Sequence, residues 1–232
     1  MGNNLNTINI EFFGLPGSGK STVSHEMAKK IADTGYQVTE PTYILGHSRN
    51  PLSRVMHKFL ASIVFSIKHP ILTKETRKLV IENEYSGIEK IKQLVNLLNK
   101  ISIYKKNAKK ITIWDEGIAQ ASISLSINSS IKPVDNYKKI KNIADDKAII
   151  YLVYISTNKQ TSFKRMNERQ TNDSRVEKAG KEESIALMNN FYDCVNNMAI
   201  IADYTINNNK DISNIKYDTI IASIIENSYE KK

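Results

Sequence analysis

The sequence predicts an α/β fold: a parallel five-stranded sheet with helices on both faces. Three observations carry that prediction. Short apolar runs alternate with stretches of helical period along the chain. One of the runs, Ala148 to Ile155, is apolar throughout, as a strand covered on both faces must be. A glycine-rich segment joins the first run to the first helical pattern, and the other polar motifs also fall at strand ends, where ligands bind in such sheets.

Taken in order, Ile8 to Phe13 is the first strand, with polar Asn9 and Glu11 inside it. Between Lys20 and Asp33, Val23, Met27 and Ile31 recur every four residues, which places one apolar stripe against the sheet, and Gly35 closes the helix. Tyr36 to Glu40 reads as a second strand. From Asn50 to Lys100 the helical period persists with a break at His69-Pro70, so two or more helices form an insert ahead of the third strand. That strand is Ile111 to Trp114, and it ends in Asp115-Glu116-Gly117. Ala148 to Ile155 is the fourth. Thr157 to Glu168 and Lys181 to Ile201 read as helices, and the polar stretch Arg169 to Gly180 between them reads as a mobile segment. Tyr204 to Asn207 is the last strand, and Tyr217, Ile220, Ile221, Ile224 and Ile225 mark an amphipathic closing helix.

With 232 residues, 41% of them hydrophobic, the chain is expected to form one domain over 1–232. Met1 to Asn9 is polar, and Phe59 to Ile67, the longest apolar stretch, is too short to span a bilayer, so no membrane association is expected. A single cysteine, Cys194, permits no internal disulfide and fits a packing role in a reduced, cytoplasmic setting. The net charge of +9 is spread over lysine pairs such as Lys105-Lys106 and Lys138-Lys139 without interleaved aromatics. That pattern reads as solvated surface that can steer an anionic small molecule, and not as a nucleic-acid site. His25, His47, His57 and His69 show no zinc-ligand spacing with Cys194.

The run Gly14-Leu15-Pro16-Gly17-Ser18-Gly19-Lys20-Ser21 matches G-x-x-x-x-G-K-[ST] between a predicted strand and a predicted helix. Its glycines let the backbone curl with N–H groups pointing at phosphate oxygens. Lys20 brings a charge to the β and γ phosphates, Ser21 offers magnesium a hydroxyl, and the helix that continues through Thr22 presents its positive end. These eight residues with Thr22 are the expected ATP site, and the fold is then of the P-loop NTPase type.

Other candidates surround it. Asp115, at a strand end, suits magnesium, with Ser21 and directly or through water, or the attacking hydroxyl; its alternative role is a cap for the segment starting at Gly117. Glu40 before Pro41 lies at the same rim and suits the acceptor's proton or the metal. Arg165 and Arg169 share a helix face, and with Arg175 they form an expected arginine-bearing lid over about 165–180 that closes on the triphosphate. Arg49 and Arg54 flank the helical insert and read as surface residues.

With these residues in place, the chain resembles the thymidylate kinase and deoxynucleoside kinase branch of the P-loop kinases, in motif order over nearly its whole length. Thr39-Glu40-Pro41 is similar to the Glu-Pro after strand two there, which implies that Glu40 acts near the acceptor or metal. Phe163 to Arg169, with Arg175-Val176-Glu177, is similar to the arginine-bearing lid, and Tyr204 to Ile215 to the closing strand and turn. One position departs: those families place an arginine after the acidic residue of strand three, and here Glu116 follows Asp115. That points to a less anionic or differently placed acceptor.

The resemblance implies an ATP- and magnesium-dependent phosphotransferase acting on a small molecule, a nucleoside or nucleoside monophosphate first, with a homodimer as an option. The competing classes are a kinase for a sugar or other metabolite and a nucleotide-gated switch. The switch draws on Asn158-Lys159-Gln160-Thr161, similar to the guanine-reading Asn-Lys-x-Asp except that Thr161 replaces the carboxylate.

Overall fold

The computed structural model describes residues 7–47, 51–106, 111–144, 148–169, 175–209 and 217–230. In chain order the elements are β1 (Ile8–Gly14), α1 (Lys20–Asp33), β2 (Val38–Thr39), α2 (Pro41–His47), α3 (Pro51–Lys68), α4 (Pro70–Glu82), α5 (Gly87–Lys106) and β3 (Ile111–Trp114). They continue with α6 (Ile118–Ser126), α7 (Pro133–Ala144), β4 (Ile149–Ser156), α8 (Lys159–Arg169), α9 (Arg175–Lys178), α10 (Lys181–Ala199), β5 (Tyr204–Asn207) and α11 (Tyr217–Glu230). The five strands form one parallel sheet in the order β2-β3-β1-β4-β5. β1 is the central strand, paired with β3 from Ile8↔Ile111 and with β4 from Ile8↔Ile149. The chain leaves β1 toward one edge and later returns to its other side, so the crevice beyond the carboxyl end of β1 is the switch point of the sheet.

Alternation along β1 divides the core into two layers. Ile8, Ile10 and Phe12 pack with Val23, Met27 and Ile31 of α1 and with Tyr217, Ile221 and Ile224 of α11. The opposite face carries Asn9, Glu11 and Phe13, all buried. Phe13 packs there with Trp114 and with residues of α5, α6, α7 and α10. The two polar residues are satisfied: Trp114 Nε1 donates to Asn9 Oδ1 at 3.1 Å, and Glu11 accepts from Tyr104 Oη and from the Ala119 amide at 2.7 Å. Glu11 thus caps the first turn of α6 from beneath the sheet. An added Cβ on Gly117 would lie 2.5 Å from Glu11 Oε2, so only glycine lets α6 start against β1.

Two expectations change. The second strand is only Val38–Thr39, because Pro41 starts α2 at once and leaves a short edge strand paired with β3 alone. The region after Gly117 holds two helices that the sequence did not delimit. In α6 all residues but Ala121 and Ser124 are buried, and buried serines and Gln120 interrupt the apolar positions, so no apolar period marks it. The break at His69-Pro70 is confirmed as the junction of α3 and α4, and α3, α4 and α5 fill the expected insert. Beyond α4, Asn83 and Asn136 exchange amide hydrogen bonds of 2.9 and 2.7 Å, and Asn136 also donates to Ser126 Oγ, which ties the insert to α6 and α7.

Candidate active site

The glycine-rich loop leaves β1 at Gly14 and enters α1 at Lys20, where Gly19 precedes the first turn without a side-chain cap. No acidic residue occupies that first turn, so the positive end of α1 is not neutralised locally. The loop is held from three sides. Gly17 has φ 77° and sits so close to α8 that a Cβ would meet the Ser162 carbonyl oxygen at 2.4 Å. Asn208, buried beyond β5, donates through Nδ2 to the Ser18 carbonyl at 2.7 Å. Gln120 of α6 accepts from the Gly14 amide at 3.1 Å. Lys20 folds back over the loop, its Nζ 2.9 Å from the Leu15 carbonyl and 3.2 Å from that of Gly14. Burial lowers its pKa to about 8 against the pull of Glu116 and Asp115.

Asp115 faces this loop from the end of β3. Ser21 Oγ donates to its Oδ2 at 2.8 Å, while Oδ1 is buried without a hydrogen-bond partner among the described residues. The cap of α6 is Gly117, so the alternative role of Asp115 as a helix cap is not what the fold builds. A hydroxyl and an unsaturated carboxylate beside a phosphate loop are the oxygen donors magnesium takes when phosphates and water complete its shell. Among the described residues no cluster of three or more His, Cys, Asp or Glu side chains forms a metal site. Glu40 stands at the same rim but is turned onto His25, whose Nδ1 is 3.1 Å from both carboxylate oxygens, and His25 stacks on Tyr43 with centroids 4.1 Å apart. Burial holds the Glu40 pKa above the usual carboxylate value, and His25 only partly offsets this.

Beside the loop lies a cavity of about 320 Å³, within the range of small-molecule sites. Gly17, Lys20, Ser21 and Thr22 form one wall, and α3, α5 and the turn between β3 and α6 the others through Lys58, Lys100 and Glu116. Glu116 is exposed to solvent on this wall; the local desolvation that would raise its pKa is outweighed by Lys100, Lys20, Lys58 and Arg169, which lower it. The position after Asp115 lacks an arginine, yet the fold brings cations there from the insert. Arg169 lines the same cavity and pairs with Glu177 at 3.4 Å. Arg165 donates to the Asn208 carbonyl at 2.9 Å, near Gly19. Residues 170–174 of the expected lid and the side chain of Arg175 lie outside the described residues, as does Arg49. Arg54 donates to the Gly46 carbonyl.

No protein-family model and no curated protein matches the sequence. Among solved structures, deoxyadenosine kinase from M. mycoides with bound dATP aligns over 93% of this chain and 98% of its own, at a TM-score of 0.51 and 17% identity. A second structure of that enzyme, with the products dCMP and a flexible dCDP bound, aligns over 93% and 97% at a TM-score of 0.46 and 19% identity. Shikimate kinase from Acinetobacter baumannii in complex with shikimate aligns over 97% and 96% at a TM-score of 0.49 and 14% identity. This is a P-loop kinase fold.

Within that P-loop kinase fold, Lys20, Ser21 and Asp115 converge as their spacing predicts, Glu40 reaches the same rim, and Arg165 and Arg169 flank the loop. The sequence did not single out Gln120, Asn208, Lys58 or Lys100. Asn208 follows the last strand and Gln120 lies in the unperiodic α6, so neither carries a local motif. Lys58 and Lys100 could have been found only as the lysines that the insert helices turn toward the cavity. The guanine-reading near-match has a local explanation: Asn158 Oδ1 accepts from the Thr161 amide at 2.7 Å and caps α8, while Lys159 bonds Asn189. No helix among the described residues is long and apolar enough to cross a membrane.

Proposed function

We propose that the chain is an ATP- and magnesium-dependent phosphotransferase that passes the γ-phosphoryl group to a hydroxyl of a small molecule, a nucleoside or nucleoside monophosphate first, in the manner of the thymidylate kinase-like branch. The observation that carries this is the Ser21–Asp115 hydrogen bond beside buried Lys20, with Ser21 and Lys20 lining a cavity. In this reading the amides of Gly17 and Gly19 in the loop and of Lys20 and Ser21 at the start of α1 hold the phosphates, and Lys20 unfolds from the loop carbonyls onto the β and γ oxygens. Ser21 and Asp115 hold magnesium, which when bound neutralises charge on the transferring group. The acceptor oxygen forms a bond to Pγ as the bond from Pγ to the bridging oxygen breaks; ADP leaves, and the hydroxyl proton passes to Glu40. Arg165, Arg169 and Arg175 add cations when the triphosphate is in place. A nucleotide-gated switch finds less support, since the Asn158 run is occupied in capping α8.

The deciding experiment is acceptor-stimulated ADP release over nucleosides, nucleoside monophosphates, sugars and hydroxy acids, with Lys20→Ala as the blank. At least one member should raise the rate well above the blank. Equal background rates across the whole panel would leave a switch that hydrolyses slowly.

A homodimer through α3 belongs to this proposal. α3 is amphipathic the wrong way round for a lone helix on a protein surface: Leu52, Met56, Phe59, Ile63 and Ile67 form an exposed stripe at spacings of three or four, while Lys58 lines the cavity. Val55, Leu60 and Val64 widen the stripe, and Ile88 and Ile91 of α5 continue it. At roughly 150 Å² per fully exposed large side chain, the face offers on the order of 800 Å². That matches one side of a stable interface and exceeds what a lone monomer usually shows. A second copy of the same face is its occupant. Light scattering at micromolar concentration should give twice the chain mass, and Phe59→Asp with Ile63→Asp should halve it with helicity intact; a monomeric parent protein would refute the interface.

A further inference from the structure

The cavity beside the loop holds more positive charge than phosphate binding requires. Lys20 is committed to the loop and Arg169 is paired with Glu177. That leaves Lys58 of α3 and Lys100 of α5, which enter the same cavity from two helices of the insert. The Lys58 amine makes no hydrogen bond or ion pair with any described residue, while its main-chain carbonyl accepts from Ser62 Oγ. Lys100 donates to the main-chain carbonyl of Glu116. The Glu116 carboxylate feels both ammonium groups, yet among the described residues none lies within ion-pair distance of it. Burial and the neighbouring Lys100 push the Lys58 amine below its ordinary pKa, and Glu116 only partly offsets this. Two amines facing a concavity, with one carboxylate as an incomplete counter-charge, leave an anion-shaped demand unmet.

We infer that the acceptor carries an anionic group, a phosphomonoester or a carboxylate, seated between Lys58 and Lys100, with Glu116 serving as their internal counter-charge in the free protein. This rests on the phosphotransferase reading and narrows its acceptor class. Asn96 and Ser124 line the same cavity and face the remainder of the molecule. The two lysines take the place of the arginine that the chain lacks after Asp115, and supply its charge from the insert.

The test has a kinetic and a binding arm, both on the full chain. In the first, ADP release is compared for matched neutral and anionic acceptors: nucleosides against their 5′-monophosphates, and polyols against hydroxycarboxylic acids. The anionic member of at least one pair should win by about tenfold or more in kcat/KM, and which pair wins separates phosphate from carboxylate. Lys58→Met and Lys100→Met should each raise the acceptor KM about tenfold while the KM for ATP stays within twofold, and Lys58→Arg should restore it. Neutral acceptors equal to their anionic partners, or variants that lose kcat at unchanged KM, would overturn the proposal while the kinase reading stands. In the second arm, inorganic phosphate is titrated by calorimetry with ADP and magnesium saturating the loop. Binding that Lys58→Met and Lys100→Met weaken supports the anion site even if no acceptor in the panel is turned over, a result that would sink the kinase reading alone. Phosphate binding that is absent, or equal in parent and variants, overturns the anion site.

Discussion

Lys20→Met should lower kcat/KM by roughly three orders of magnitude, the scale on which a cation at a transferring phosphoryl group acts, and should abolish a pH dependence of ATP binding that the parent protein shows. In the free protein the amine is buried against the Leu15 and Gly14 carbonyls, with a pKa lowered from 10.5 to about 8. Triphosphate brings several negative charges to it and raises that pKa again. At pH 7 the amine is protonated with or without ligand, so affinity is flat there. Above pH 8 the free protein has lost the proton that the complex keeps, and the apparent Kd should rise toward tenfold per pH unit. Calorimetry with a non-hydrolysable ATP analogue at pH 7, 8 and 9 measures this; a flat profile in the parent protein would refute the assignment. Folding gives an independent check of sign. Because the native pKa lies below the unfolded value, the unfolded chain holds the extra proton between about pH 8 and 10.5, and the free parent protein gains stability as pH rises through that window. Lys20→Met removes a buried charge, so it should unfold no earlier than the parent at pH 7 and should lack the gain.

Legibility in the sequence followed the range of the interactions. The glycine-rich loop was readable because eight contiguous residues carry its whole pattern; α1 was readable by a stripe of its own period, and β1, β3, β4 and β5 as short runs rich in apolar residues between turns and helices. Asp115 and Glu40 could be placed at one rim because strand ends converge at the switch point of the sheet. The failures have a common cause as well. α6 is buried except at Ala121 and Ser124 and shows no apolar stripe. β2 is two residues long because a proline starts the next helix. Asn208 and Gln120 act on the loop from 190 and 106 residues away through single hydrogen bonds, which leave no trace in local composition. The absent arginine after Asp115 was legible, but the lysines that bring positive charge to the same place were not, since a lysine in an amphipathic helix reads as a solvent-facing residue until the fold turns it inward.

Asp115→Asn should cost roughly two to three orders of magnitude in kcat and shift the magnesium dependence to higher concentration, with the fold intact. The amide oxygen of asparagine can still accept from Ser21 at the place Oδ2 holds at 2.8 Å, so the β3–α1 contact survives. What is lost is the charge on Oδ1, the buried oxygen without a partner. Glu40→Gln separates the two carboxylates. As the proton acceptor, Glu40 works only when ionised, so kcat should fall as pH drops through its pKa, which burial holds above the usual carboxylate range. Glu40→Gln should remove that acidic limb along with about two to four orders of magnitude of rate, and magnesium dependence should be unchanged. His25 bonds both Glu40 oxygens and pulls that pKa down, so His25→Ala should move the limb to higher pH while the plateau rate is largely kept. The assignment is thus exposed to a single comparison. If the limb persists in Glu40→Gln and disappears in Asp115→Asn, the base is Asp115, and the Glu40–His25 pair is a positioning contact between α1 and the start of α2.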